Sequence, residues 1–245
     1  QGQEIGDQGL DPIVGAGDGL SFSPAAVREA VADRAARQLR DRDRAVAPVD
    51  YERIATDASR QLARAKCLPA MNQSGDYQPG WVTLLIVPDS PAPKPKPSET
   101  LRQDVEQAIA EKAPATPVGL DQIVVRAPSY VMVTVDVEVA AAGGSIAQLE
   151  EDVHETVGGY LHPLTGGSDG AGWQFGVLPC RSDFFELLEG VEQVDHVVEL
   201  AVTFETSRST VTVDEGEPTP DTAPDALVYS GEHTVKGSLA GGGRQ

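Results

Sequence analysis

An α+β fold, built from two small ferredoxin-like α/β sandwich domains with antiparallel sheets, is what three features of the sequence predict. Apolar residues at helical spacing alternate with short runs of strand character, in the order helix, strand, strand, helix, strand to about Ala127. The order strand, helix, strand, helix, strand then runs to about Glu205. The stretch from Ile123 to Val139 alternates with period two, putting Val131, Val133, Val135, Val137 and Val139 on one face. Short helices on one side of such strands describe an α+β protein. Composition sets the limits: residues 1–23 form a flexible N-terminal arm and 24–44 a helical segment. A first domain covers 45–127 and a second 128–205. Residues 206–245 form an extended C-terminal tail with a short strand.

In chain order, Ser23 and Pro24 suit an N-cap and first helical residue. Val27, Val31, Ala35 and Leu39 then make a narrow apolar seam. Such a helix fits either a bundle with partner helices or its own domain surface. Pro48 opens a helix with Tyr51, Ile54, Ala55 and Ala58 inward, and Leu62–Leu68 extends. Trp81–Val87 reads as a buried strand, and Pro88–Pro97 as an extended surface connection that cannot donate a ladder of hydrogen bonds. Ser98 caps a helix burying Leu101, Val105, Ala108 and Ile109. The polar face of the Ile123–Val139 segment, Met132, Thr134, Asp136 and Glu138, faces solvent or an interface. Gly143 and Gly144 turn the chain into a helix over Ile146–Leu161, which Pro163 stops.

Next come glycines at 166, 167, 170 and 172, then Trp173, Phe175 and Val177 along one predicted strand face. A helix carrying Phe184, Leu187 and Leu188 and a closing strand with Val191, Val194, Val197, Val198 and Leu200 follow. Beyond Phe204 the chain turns Ser/Thr/Pro/acid-rich, with strand character at Thr210–Val213 and Ala226–Val235, the latter one strand or a hairpin.

Charge is the dominant global property: 38 Asp and Glu against 19 Lys and Arg, a net of −19. An acid excess with few lysines is the habit of proteins kept soluble in concentrated salt, so a halophilic source is expected. The same balance argues against nucleic acid, which requires a basic stripe. No apolar run reaches the roughly 18 residues that span a bilayer, so membrane insertion is not expected. Cys67 and Cys180 read as two buried free thiols without a CxxC motif. The chain opens on Gln1, as a processed or cropped piece would.

The chemical readings of the glycine segment are weak. Gly166-Gly167-Ser168-Asp169-Gly170 matches GxSxG, and a secreted serine hydrolase using Ser168 would follow from it. That motif needs a strand before the serine and a helix after it, whereas here the order is reversed. Trp81 and Trp173 could serve a carbohydrate- or surface-binding module, but both are expected to be buried. His154 and His162 are eight apart, outside the i, i+4 spacing of two helical metal ligands. No phosphate cradle is present. No catalytic, cofactor-binding or metal residue is assigned, and no cofactor is expected.

The ordered set AVAPVDYERIA, LARAKCLP, VTLLIVP, HPLTGGSDGAGWQFG, FELLEGVEQVDHVVEL and LVYSGEH, between about Arg40 and Val235, resembles the baseplate J-like family. These are wedge proteins of contractile phage tails and extracellular contractile injection systems. The resemblance implies a non-enzymatic structural subunit in a virion tail baseplate or injection particle. It would link the central hub and spike to the sheath and transmit the contraction trigger. Its partners would be other wedge subunits, the hub and spike, and sheath-proximal proteins, in a hetero-oligomer with several copies around the tail axis. Tyr51, Pro163, Gly166, Gly167, Gly172, Trp173, Phe175 and Gly176 would then be structural, and Val27, Val31, Ala35 and Leu39 would belong to an inter-subunit bundle. Ala47 stands where the family tends to place a capping Thr, which weakens that cap by roughly 1 kcal/mol. The chain is also short for the family.

Overall fold

The computed structural model of the chain describes residues 45–112, 122–214 and 218–239. The expected arm and helix of residues 1–44, with Val27, Val31, Ala35 and Leu39, lie outside them. Helix α1 (Pro48–Ala58) begins on Pro48, whose missing N–H is harmless in a first turn. Ala47 offers no side-chain acceptor, so only the return half of a capping box forms. The Asp50 carboxylate accepts the N–H groups of Ala47 at 2.7 Å and Val46 at 3.1 Å.

Strands β1 (Leu62–Met71) and β2 (Tyr77–Pro88) form an antiparallel hairpin. Helix α2 (Glu99–Lys112) starts on the Ser98 hydroxyl, which accepts the Leu101 N–H at 3.1 Å. Strand β3 (Ile123–Arg126) returns parallel to β2, giving the order β1-β2-β3. Parallel neighbours need a helical crossover of this kind. Ile54 and Ala55 of α1 and Leu101, Val105 and Ile109 of α2 pack on Leu84, Ile86 and Val125. Leu85 and Val87 point to the other face and are also fully buried, Val87 within the second core. Burial on both faces explains why β2 reads as an unbroken apolar run.

The second sheet centres on β4 (Ser129–Ala141), whose alternating burial matches the sequence period. Helices α3 (Ile146–Tyr160) and α4 (Arg181–Glu189) supply Leu149, Val153, Val157, Phe184 and Leu188 to the inner face. Strand β5 (Val194–Glu205) pairs antiparallel with β4, and β6 (Thr210–Val213) with β5. Strands β7 (Ala226–Ser230) and β8 (Thr234–Leu239) both pair parallel with β4, one after the other along its free edge. The α+β class therefore holds, with two sheets each backed by helices. Antiparallel pairing does not hold throughout: β2–β3, β4–β7 and β4–β8 are parallel. The segment expected to be an extended tail is also corrected, because it contributes three strands to the second sheet.

The part of β5 that β6 does not cover, and the opposite edge of the sheet, each carry a device that blunts further pairing. Register shifts in β5 leave Asp195 and Val198 without a partner on β4. On the opposite side Glu150 of α3 accepts the Gly237 N–H at 2.8 Å. The described residues belong to one compact unit, Arg44–Gln245. Among them no helix is long and apolar enough to cross a membrane.

Candidate functional site

The loop between α3 and α4 holds seven of the residues singled out from sequence, and its main chain is tightly cross-bonded. The Tyr160 carbonyl accepts the Gly167 N–H at 2.8 Å and the Trp173 indole N–H at 2.7 Å. Gly166 donates to the His162 carbonyl at 2.8 Å, Gly172 to Gly166 at 2.9 Å, and Trp173 to Pro163 at 3.2 Å. The His162 ring belongs to the same turn, its Nδ1 accepting the N–H groups of Leu164 and Thr165. Trp173 is only 7% exposed and meets the Tyr160 ring edge-on at 5.2 Å.

The predicted strand through Trp173, Phe175 and Val177 is not there: these residues pair with no strand. Gly172 at φ +86° and Gly176 at φ +76° bend the backbone out of an extended path on either side of the aromatic pair. Trp173 thus turns into the second core, Phe175 is half-buried, and Val177 stays 44% exposed. Two further expectations change. Trp81 is partly exposed, unlike Trp173, because it lies where β2 leaves its buried segment. Cys67 is buried and Cys180 exposed; both are free thiols, and burial pushes Cys67 up to about 12. Tyr51 does not join the loop; it packs against the first core, where burial, then Cys67 and Asp50, raise its phenol.

What the loop does becomes visible through Arg64 on β1. Its Nη1 donates to the carbonyls of Trp173 at 2.6 Å and Pro163 at 3.2 Å, and its guanidinium lies 5.2 Å from the Phe175 ring centre. At its other end the loop is held by the Gly176 N–H, which donates to Ala226 at the start of β7 at 2.9 Å. The proline-rich connection reinforces this seam. Tyr130 donates its hydroxyl to the Pro95 carbonyl, and the Lys94 ammonium lies 4.5 Å from the Tyr229 ring centre and 5.6 Å from that of Tyr130. Arg126 of the first sheet pairs with Asp225 at 2.8 Å, and the Ser129 hydroxyl also bonds that carboxylate at 2.6 Å. Burial alone would raise the Asp225 carboxyl, but Ser129 and Arg126 together hold it below its ordinary value. Arg64 falls within the LARAKCLP segment but is not singled out there, and no local motif marks Lys94 or Asp225, since each partner lies far along the chain.

A second constellation joins β7 to β8. The ladder on β4 passes from Ser230 opposite Val133 to Thr234 opposite Asp136, leaving one extra residue in the tail. His233 repairs the gap: its Nδ1 accepts the Val135 N–H at 3.1 Å, and its Nε2 meets the Ser230 hydroxyl at 2.8 Å. Nδ1 must be unprotonated for the first bond, so the neutral ring is the native form. Burial, then the neighbouring His154, lower its pKa from 6.5 to about 4 against the opposing pull of Asp136. An unfolded chain binds this proton first as pH falls. Stability is therefore full above about 6.5 and declines toward about 4. The loss is on the order of 1–2 kcal/mol after allowing for the ring's partial exposure. Urea titrations across this range should show it, and His233→Gln should flatten that part of the profile; an unchanged profile in the variant would assign the acid loss elsewhere.

The loop lacks the partners of a hydrolytic centre. Ser168 is exposed on a turn that follows a helix, not at a strand end. The His162 ring is committed to Leu164 and Thr165, His233 to Val135 and Ser230, and His196 to Asp195. Among the described residues no group of three or more His, Cys, Asp and Glu could hold a metal ion.

No protein-family model matches the chain, and no curated protein matches its sequence. Its fold is similar to that of a chain in the cryo-EM structure of the anti-feeding prophage baseplate, solved with six-fold symmetry, at a TM-score of 0.58 and 16% identity. The likeness covers 83% of this chain and 41% of that one. This chain thus spans well under half the length of the baseplate chain whose fold it shares.

Proposed function

We propose that the chain is a structural subunit of the baseplate of a contractile tail or injection particle. The observation that carries this reading is the fold likeness to a chain of the anti-feeding prophage baseplate over 83% of this chain. The site geometry supports it. The segment with the most suggestive motif spends its carbonyls, glycines and aromatic rings on joining two sheets, which suits a part that passes force between neighbours. Within such a baseplate we assign the chain to the wedge, where it would contact other wedge subunits, the hub and spike, and sheath-proximal proteins. Residues 24–44 would enter an inter-subunit helical bundle. The large acid excess further suits a salt-rich host or medium; a melting temperature that fell as KCl was raised would remove that part of the reading.

The test of the main proposal is electron microscopy of purified particles from the source, with the chain labelled by an antibody fragment. Label should ring the distal end of the tail in several copies. Particles that assemble and contract without the chain would overturn the assignment.

A further inference from the structure

Against the glycine loop lies a groove of about 610 Å³, one side of which is formed by residues of the joint. Its walls include Trp173, Val177 and Leu187, and it also carries Asp169, Asp183 and Glu186, with no Lys, Arg or His among the described residues that line it. Two of these carboxylates are fixed by the main chain: Asp169 accepts the Ala171 N–H at 3.0 Å and Asp183 the Cys180 N–H at 2.8 Å. The carboxylate of exposed Glu186 bonds no described residue, and neither does the Tyr160 hydroxyl, which also lines the groove. Burial first, then the nearby carboxylates of Asp183 and Glu186, pushes that phenol up to about 12, and the three acidic side chains on the groove favour a positive occupant.

We infer that this groove receives an arginine-bearing segment of a partner protein. Charge complementarity selects the occupant: three carboxylates face an opening with aromatic and aliphatic walls. Arginine suits it better than lysine, because a planar guanidinium is weakly hydrated, stacks on rings and pairs with carboxylates by two parallel bonds. A second copy of this chain is disfavoured as the donor, since two bodies of net charge −19 repel. The inference stands whether or not the chain belongs to a baseplate.

The purified chain, titrated into a short fluorescein-labelled peptide of glycine, serine and two arginines, tests it by anisotropy. The same peptide with citrulline in place of arginine removes the charge and keeps the shape. The arginine peptide should bind and the citrulline peptide should not. Glu186→Gln, on an exposed helix position, should weaken binding roughly tenfold. Glu138→Gln removes the same charge from the helix-free face of β4, outside the groove, and should leave binding within about twofold. Absence of binding up to ~1 mM, equal binding of the citrulline peptide, or equal weakening by the two variants would each overturn the inference, the last by revealing diffuse attraction to an acidic surface.

Discussion

Gly166→Ala is expected to destabilise the protein by more than about 3 kcal/mol and to loosen the loop that joins its two sheets. The added methyl carbon would sit 2.1 Å from the Tyr160 carbonyl oxygen and 2.6 Å from that of His162. Both are main-chain atoms that cannot swing aside as a flexible side chain would. The Tyr160 carbonyl also accepts the Gly167 amide and the Trp173 indole, so any shift that relieves the clash disturbs both bonds. Gly172 is required on two counts: φ +86°, and a Cβ that would meet the Pro163 and Leu164 carbonyls at 2.7 Å. Gly172→Val should therefore disrupt folding or assembly as well. Ser168→Ala is the matched control, exposed in the same loop and within about 0.5 kcal/mol of wild type. Urea midpoints and near-ultraviolet dichroism of the three variants make the comparison. If Gly166→Ala unfolded together with Ser168→Ala, the loop would be plastic and the joint assignment would fail.

Arg64→Met should cost about 2–4 kcal/mol, with the damage at the seam between the sheets more than inside either core. Methionine retains an apolar stem, so packing along β1 is largely kept. What goes is the charged donor to the carbonyls of Pro163 and Trp173 and the cation over Phe175. Burial lowers the Arg64 pKa below its ordinary value yet leaves the guanidinium charged at neutral pH, so the donor is present in the native protein. The expected readouts are faster proteolytic cleavage within 161–180, a change in Trp173 emission and a broader thermal transition. An Arg64→Met protein with wild-type melting and emission would mean that Val87 and the proline-rich connection hold the halves together by themselves. Together the two variants separate crowding inside the loop from attachment of the loop to its neighbour.

What the sequence determined by itself is whatever depends on residues a few places apart. The period-two valines of β4, the helical spacing of Leu149, Val153 and Val157, and the Ser98 cap each follow from local geometry and stand in the structure. The α+β class follows with them. The same local logic failed at Trp173, Phe175 and Val177, where alternation arose from a glycine-bent loop facing different neighbours. The motif hinted at in that loop was also local, and only its setting decided that it is a joint. Tertiary structure alone decided that β7 and β8 run parallel along β4, since parallel register leaves no short-range turn signal. It also decided that Arg64 reaches carbonyls 99 and 109 residues away, and that His233 replaces a main-chain acceptor for Val135. Those contacts depend on which surfaces meet once the chain is compact, and a one-dimensional pattern carries no record of that meeting.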